Sequence, residues 1–437
     1  MFYVFSLHIL QNYRKIAPKL THIFFPGVIY VYPRLIKCYN ELHFSNHYCI
    51  SGYSMKTLVR SFVRFMSEAD IFLLAVSIIS AVYGSILISS VITNNTDASG
   101  NEVYVQIGAM IIGIGLFVLF SYIDIDIIAD KSRLLLIFSA LFIGTLYFWG
   151  VEGETGNRAW LRFLGIGVQP SEIVKIPFII IVARMISNFR ERKTLNSFIS
   201  LIQIALVFSF LFVLILVISA DLGSAIVYAF ILIVMLFIAG VKLRWFAVGA
   251  AGVAAVFPLF WLNYMTDRQR GRILAPFAPD ALDPDFYAEI AWQAEQSVRA
   301  IASGGFGGQG LGKGYMTQRQ LIPAQYTDFI FSAAGEEQGF AGCMLIVVLL
   351  VVIIIRCAYV GVKSNNSLGM LVCFGIAAML IMQTVENIGM CLGILPVIGI
   401  TLPFFSYGGS SIVTCFAAMG IVSGIKMRPK PIRFRSM

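Results

Sequence analysis

From Asp70 onward the chain repeats one pattern, an apolar run long enough to cross a bilayer followed by a polar break. Crossing the hydrocarbon core takes about 20 residues of helix, because a helix satisfies its own backbone donors and acceptors where there is no water. The pattern predicts an all-α polytopic membrane protein of about ten transmembrane helices. With 58% of the residues hydrophobic and 13% charged, it excludes a soluble enzyme, a disulfide framework and a nucleic-acid-binding domain. The net charge of +9 lies in short Lys and Arg clusters between apolar runs, where it sets orientation in a bilayer.

Ten spans are expected, at 70 to 92, 104 to 123, 134 to 150, 170 to 187, 197 to 219, 221 to 241, 244 to 263, 328 to 355, 368 to 395 and 405 to 425. Lys56, Arg60 and Arg64 precede the first. Lys131 and Arg133, then Arg190, Arg192 and Lys193, then Lys242 and Arg244, then Arg356 and Lys363, and last Lys426, Arg428, Lys430, Arg433 and Arg435 mark every second break. The short breaks near 93 to 103, 219 to 221 and 396 to 404 hold no Lys or Arg, so both termini are expected in the cytoplasm. Two outer segments are basic: 151 to 172 carries Arg158 and Arg162, and the long extracytoplasmic loop 264 to 327 carries Arg268, Arg270, Arg272, Arg299, Lys313 and Arg319. They read either as solvated residues or as a surface that binds an anion such as a lipid phosphate.

Residues 1 to 54 stand outside this plan. Their longest apolar run, 24 to 32, is broken by Pro26 and Gly27 and is too short to span. Met55, followed by Lys56, Arg60 and Arg64, looks like an ordinary cytoplasmic start, so the preferred reading is a mis-assigned upstream start, and a disordered or interfacial extension is the alternative. The expected division is thus an N-terminal extension, 1 to 54, and a ten-helix membrane domain, 55 to 437.

All four His lie in the first 50 residues, and the seven Cys form no C-x-x-C pair. Acid-base chemistry in the membrane body must use carboxylates, Lys, Tyr or Cys. Ionisable residues inside spans are costly and so mark function. Glu172 and Lys175 are three apart, on one helical face, and can pair. Glu336 and Glu337 lie eight or nine residues into the eighth span, about 12 Å deep. Glu386 and Asn387 reach a similar depth in the ninth, and the acids are expected to share an outward-opening cavity. Asp328 stands where the long loop re-enters the membrane; Thr327-Asp328 otherwise reads as a helix N-cap.

The glycine-rich stretch 304 to 314 imitates both G-x-G-x-x-G and a Walker A loop. Gly314 occupies the Ser/Thr position, however, and no strand precedes it. It reads either as backbone that points N–H groups at an anion or as a flexible loop. Before it, Phe286, Ile290, Ala294, Val298 and Ile301 recur at helical spacing, with Glu289, Gln293, Gln296 and Arg299 elsewhere on the wheel, as in an amphipathic helix at the membrane surface.

Several strings taken together resemble one family. Gly156-Asn157-Arg158-Ala159-Trp160-Leu161, Gln169-Pro170-Ser171-Glu172-Ile173-Val174-Lys175, Asp221-Leu222-Gly223-Ser224-Ala225, Gln296-Ser297 through the glycine loop with Lys313, Thr327-Asp328-Phe329-Ile330-Phe331, Glu336-Glu337, Asn387-Ile388-Gly389-Met390 and Pro403-Phe404-Phe405-Ser406-Tyr407-Gly408-Gly409-Ser410 occur in order. They are similar to the shape, elongation, division and sporulation (SEDS) family over about 70 to 425. Within it, the glycine loop and short tail are more like the elongation branch than the division branch. Three positions depart: Ala324 and Tyr326 stand where the family usually has Glu and His, and Ala220 where it has Pro.

The resemblance implies a multi-pass protein of the bacterial inner membrane that polymerises lipid II into glycan strands, with its site on the outer face. Its implied partners are a class B penicillin-binding protein and other membrane proteins of the elongation complex. No cofactor is assigned with certainty, and a divalent cation, Mg or Mn, is the candidate for helping to bind the pyrophosphate. In this reading Asp328 is the general base on the acceptor 4-hydroxyl, which attacks the anomeric carbon and expels undecaprenyl pyrophosphate with inversion. Arg158, Arg162, Lys175 or loop cations would stabilise the leaving group, and Trp160, Glu172, Gln296, Ser297, Lys313, Glu336, Glu337, Glu386, Asn387, Ser406, Gly408 and Gly409 are the further substrate-binding candidates. A lipid transporter using Glu172, Lys175 and Glu386, or a scaffold for the penicillin-binding partner, are the competing readings.

Overall fold

The structure, a computed structural model, describes residues 63–93, 100–151, 158–163, 166–278 and 282–428. The chain divides into Met1–Ser67 and a compact unit, Glu68–Met437, and everything below concerns the second. The extension 1 to 54, Lys56, Arg60, Lys430, Arg433, Arg435, the Gly156-Asn157 pair and the side chains of Arg268, Phe286, Glu289 and Ile290 lie outside the described residues.

The unit is helical nearly throughout: α1 (Ile71–Ile92), α2 (Glu102–Tyr122), the short α3 (Ile125–Asp130), α4 (Ser132–Trp149), α5 (Pro170–Glu191), α6 (Phe198–Ser219), α7 (Leu222–Ala239), α8 (Leu243–Asn263), α9 (Asp267–Leu274), α10 (Pro284–Gly304), α11 (Tyr315–Gln318), α12 (Ile330–Lys363), α13 (Ser367–Cys391) and α14 (Gly409–Met427). Side chains satisfy the first free N–H groups. Asp70 accepts from Leu73 N–H at 3.3 Å, Asp221 from Ser224 at 2.9 Å and Asn366 from Gly369 at 2.7 Å, so α1, α7 and α13 each start on a cap. Pro170 opens α5, where its missing N–H costs nothing.

Among the described residues nine helices are long and apolar enough to cross a membrane. The tenth expected span is α5, as long as α1 at 22 residues but too polar to qualify by composition. Its charges are tolerated because α7, α13 and α14 surround it, and Glu172 and Lys175 are buried in protein rather than exposed to lipid. The core is α14 against α2, and α13 against α7 and α12; α8, at the other extreme, has no buried residue.

Three features depart from the expected plan. An antiparallel hairpin, β1 (Leu161–Phe163) with β2 (Ile166–Val168), pairs Arg162 with Gly167 just before α5. The last helix begins at Gly409 rather than 405, leaving 392–408 as a folded loop over the helix ends. Finally, Gly339 (φ 67°, ψ −161°) breaks α12, so 330–338 is a short helix and 340–363 is the span proper.

The break explains the glycine stretch. Gln309 and Gly310 N–H donate to the carbonyls of Glu336 and Glu337 at 3.0 and 2.8 Å, and Phe340 and Ala341 N–H donate to Gly305 and Phe306 carbonyls at 2.9 and 3.2 Å. The groups freed by the break are therefore satisfied by the loop, as buried backbone requires. Such contact needs bare backbone on both sides. A β-carbon on Gly308 would collide with the Glu337 carbonyl and one on Gly339 with Gly308 N, and both residues have positive φ. The N–H groups of Gly305, Gly308, Gln309, Gly310 and Gly312 are spent inside the protein, so neither the anion-facing nor the flexible-loop alternative describes them.

Candidate functional site

Asp328 follows a tight turn in which the Ala324 carbonyl accepts from the N–H groups of Thr327, Asp328 and Phe329, at 3.1, 3.0 and 3.2 Å. Ala324 holds this turn at φ 46°, in the left-handed region. The cap position of α12 falls on Phe329 without a side-chain cap, so the N-cap reading of Thr327-Asp328 does not hold. The Asp328 carboxylate faces loop 392–408 so closely that a β-carbon on Gly399 would stand 3.3 Å from Oδ2.

Asn387 fixes this juxtaposition. Its amide donates to the Asp328 carbonyl and to the Ile400 carbonyl, both at 2.7 Å, tying the turn to the loop from a wholly buried position on α13. One turn on, the Cys391 carbonyl accepts from Ser297 Oγ at 2.6 Å, and Ser297 also bonds Ser332, so α10, α12 and α13 meet behind Asp328. On the other side Tyr407 N–H donates to the Tyr326 carbonyl at 2.9 Å, with the two rings edge to face. Burial pushes the Tyr407 phenol up, and Glu102 adds to the shift. Ser406 and Gly408 are held by Gln106, whose amide donates to the Ser406 carbonyl at 3.0 Å and accepts from Gly408 N–H at 3.2 Å.

A second cluster lies beyond Gly409. Gln169 N–H donates to Ser410 Oγ at 3.2 Å, joining α14 to the start of α5. There Lys175 Nζ and Glu172 Oε1 are 2.5 Å apart, with residue exposures of 0% and 5%. Gln383 donates to the other Glu172 oxygen at 3.4 Å. Beside them Asp221 accepts from Gln169 at 2.8 Å and Ser171 at 3.2 Å, and Tyr228 donates to the Ser171 carbonyl at 2.8 Å.

Glu336 and Glu337, expected to share a cavity with Glu386, are bonded to the chain around them. Glu336 accepts from Met316 N–H, Thr317 N–H and Thr317 Oγ1 at 2.7, 2.8 and 2.6 Å, and Glu337 from Ser90 Oγ at 2.5 Å and Gln318 at 2.8 Å. Both anchor the loop after the glycines, and carboxylates so committed have little capacity left for a ligand. Glu386 is buried, and its Oε1 has no hydrogen-bond partner. Arg158 is exposed ahead of the hairpin and Arg162 on it, Trp160 packs over Gly167, Lys313 is exposed and Gln296 is half-buried.

Gln106, Ser90, Gln383 and Asp221 escaped the sequence reading as site residues. A neutral polar residue inside an apolar run was the available signal for the first three. Among the described residues no group of three or more His, Cys, Asp or Glu side chains converges on a metal position. Between α1 and α2, an apolar groove of about 570 Å³ lined by Val82, Ile86, Val103, Ile107 and Met110 runs up to Leu311 after the glycine loop.

Asn387→Ala removes both donors of the tether and leaves two carbonyls to find others, a cost of about 1–3 kcal/mol. The expected result is a lower unfolding temperature in detergent with helix content unchanged; an unshifted transition would show that the tether bears no weight.

Comparison with known proteins bears on this arrangement. Residues 70–430 match the model of the FtsW/RodA/SpoVE family, described as cell cycle protein. The peptidoglycan glycosyltransferase MrdB of Escherichia coli K12 is 31% identical over 336 residues, covering 76% of this chain and 88% of the relative. The probable peptidoglycan glycosyltransferase FtsW of Geobacter sulfurreducens is 30% identical over 378 residues, covering 84% and 98%. Among solved structures, a chain from work on structural coordination of polymerization and crosslinking by a peptidoglycan synthase complex superposes with TM-score 0.68 at 26% identity, covering 82% of this chain and 97% of its own. The rod shape determining protein RodA of Thermus thermophilus gives TM-score 0.60 at 24% identity, covering 82% and 96%.

Proposed function

The chain belongs to the FtsW/RodA/SpoVE family of cell cycle proteins, and from that premise we propose that it is a peptidoglycan glycosyltransferase that polymerises lipid II in a bacterial inner membrane. The observation that carries the reading is the Asp328 carboxylate set against loop 392–408 at the helix ends, with Asn387 holding both sides.

Asp328 takes the proton of the acceptor 4-hydroxyl as that oxygen bonds to the donor's anomeric carbon. The bond from that carbon to the pyrophosphate oxygen breaks, and undecaprenyl pyrophosphate leaves with the electron pair. A single-step displacement inverts the anomeric centre. Pyrophosphate is a good leaving group, so no second carboxylate is needed to protonate it. The exposed Arg158, Arg162 and Lys313 are the cations for its charge, and the groove between α1 and α2 suits an isoprenyl tail. Glu336, Glu337, Glu172 and Lys175 act by positioning backbone around the site.

The termini are cytoplasmic and Asp328 opens outward in this proposal, consistent with the charge alternation of the breaks. A class B penicillin-binding protein is the proposed partner, and elongation the proposed role, supported by the glycine loop; the MrdB and FtsW relatives match at 31% and 30% identity. Purified chain with that partner, given lipid II, is expected to yield glycan polymer, and absence of polymer from well-folded complex would sink the reading.

Residues 1 to 54 are proposed to stand outside the working domain, since the family match begins at residue 70. Deleting them is expected to leave membrane insertion and polymer yield unchanged, as checked by expression and the same assay; loss of either would make the extension part of the fold.

A further inference from the structure

The end of the molecule opposite Asp328 carries a cavity that this chemistry does not use. The unbroken stretch 340–363 of α12 rises about 36 Å at 1.5 Å per residue, enough to cross the membrane. Where it ends beside the end of α14, a cavity of about 290 Å³ is lined by Arg356, Lys363, Lys426 and Arg428 with Tyr359 and Val360. Four cations thus converge on one small space. Among the described residues, the carboxylates in ion-pair range are Asp70, 2.8 Å from Arg356 and 3.7 Å from Lys426, and Asp124, 3.2 Å from Arg428. Asp70 is fully buried behind the cations, while Lys363 and Lys426 are exposed, so positive charge faces outward. The Arg356 guanidinium is held in place by both Asp70 oxygens, at 2.8 and 3.1 Å.

We propose that this cavity binds the phosphate headgroup of an anionic phospholipid. Cations alone would suit any phosphate, free or lipid-borne. Two observations favour the lipid. The cations stand at the ends of two membrane helices, at headgroup level. The wall running from them toward the hydrocarbon is apolar and open, with Tyr359 46% and Ile355, one turn deeper, 61% exposed. Glycerol and upper acyl chain can lie there, whereas a free anion gains nothing from it.

The test titrates the purified full chain in detergent with phosphatidylglycerol or phosphatidylcholine and counts bound lipid by native mass spectrometry. The wild type is expected to prefer phosphatidylglycerol. Lys363→Gln lowers that preference about fivefold and Lys363→Gln with Lys426→Gln about 25-fold. Lys363→Arg restores it, and helix content by circular dichroism stays constant throughout. A Lys363→Gln protein as selective as the wild type, or a wild type that holds both lipids equally, overturns the proposal. Displacement of phosphatidylglycerol by millimolar inorganic phosphate also overturns it, because the ligand would then be the free anion. Glycan synthesis is not read in any arm, so its failure would be separate.

Discussion

Asp328→Asn protein is expected to make almost no glycan polymer while remaining folded and able to bind lipid II and its partner. The exchange keeps the shape of the side chain and removes its capacity to take a proton. It costs no helix cap, because the cap position of α12 is Phe329. The backbone carbonyl through which Asn387 holds the turn is untouched. What remains is the chemistry: loss of a general base is worth about 10²-fold or more in rate. Polymer yield from purified lipid II, with binding measured alongside, decides the matter. A near-normal yield would remove Asp328 as the base and return attention to the transport and scaffold readings.

Glu172→Ala and Lys175→Ala are each expected to destabilise the protein by about 3–5 kcal/mol, because each leaves its partner's charge buried and unpaired. With Lys175 at 0% and Glu172 at 5% exposure, water cannot compensate. The double variant removes both charges and should cost less than the sum of the singles. Unfolding in detergent micelles measures all three proteins. Strict additivity, with well-folded singles, would show that the two residues act apart despite their 2.5 Å contact. The pair sits on α5 under the Gln169–Ser410 link, so the singles should also lower polymer yield by loosening the start of α14.

The spans were legible because hydropathy and charge alternation act over twenty residues at a time and depend on no partner. Asp328 and Asn387 stood out for a related reason, as polar residues in membrane-adjacent positions where desolvation is expensive. The pairing of Glu172 with Lys175 followed from helical spacing alone. The break at Gly339 was not legible. Glu336, Glu337 and Gln338 precede it without marking a break, and what splits the helix is the backbone of 305–310, which takes over its hydrogen bonds. For the same reason the glycines read either as ligand-facing or as a flexible loop, and Glu336 and Glu337 as cavity acids, since their partners lie at positions no local pattern connects. The hairpin at 161–168 is too short for an alternation signal to accumulate.

The seam between the glycine loop and the broken helix has a consequence for how such a sequence can change. Gly308 and Gly339 touch through bare backbone, so each is already at the smallest size a residue can have. A methyl gained on one side cannot be offset by trimming the other, and second-site repair at the opposing position is closed. Compensation is open only at the margins, where the stacked rings of Phe306 and Phe340, 5.9 Å apart, leave volume to trade. Drift along this stretch is therefore confined to its aromatic edges, and the two glycines are fixed as a couple rather than one by one.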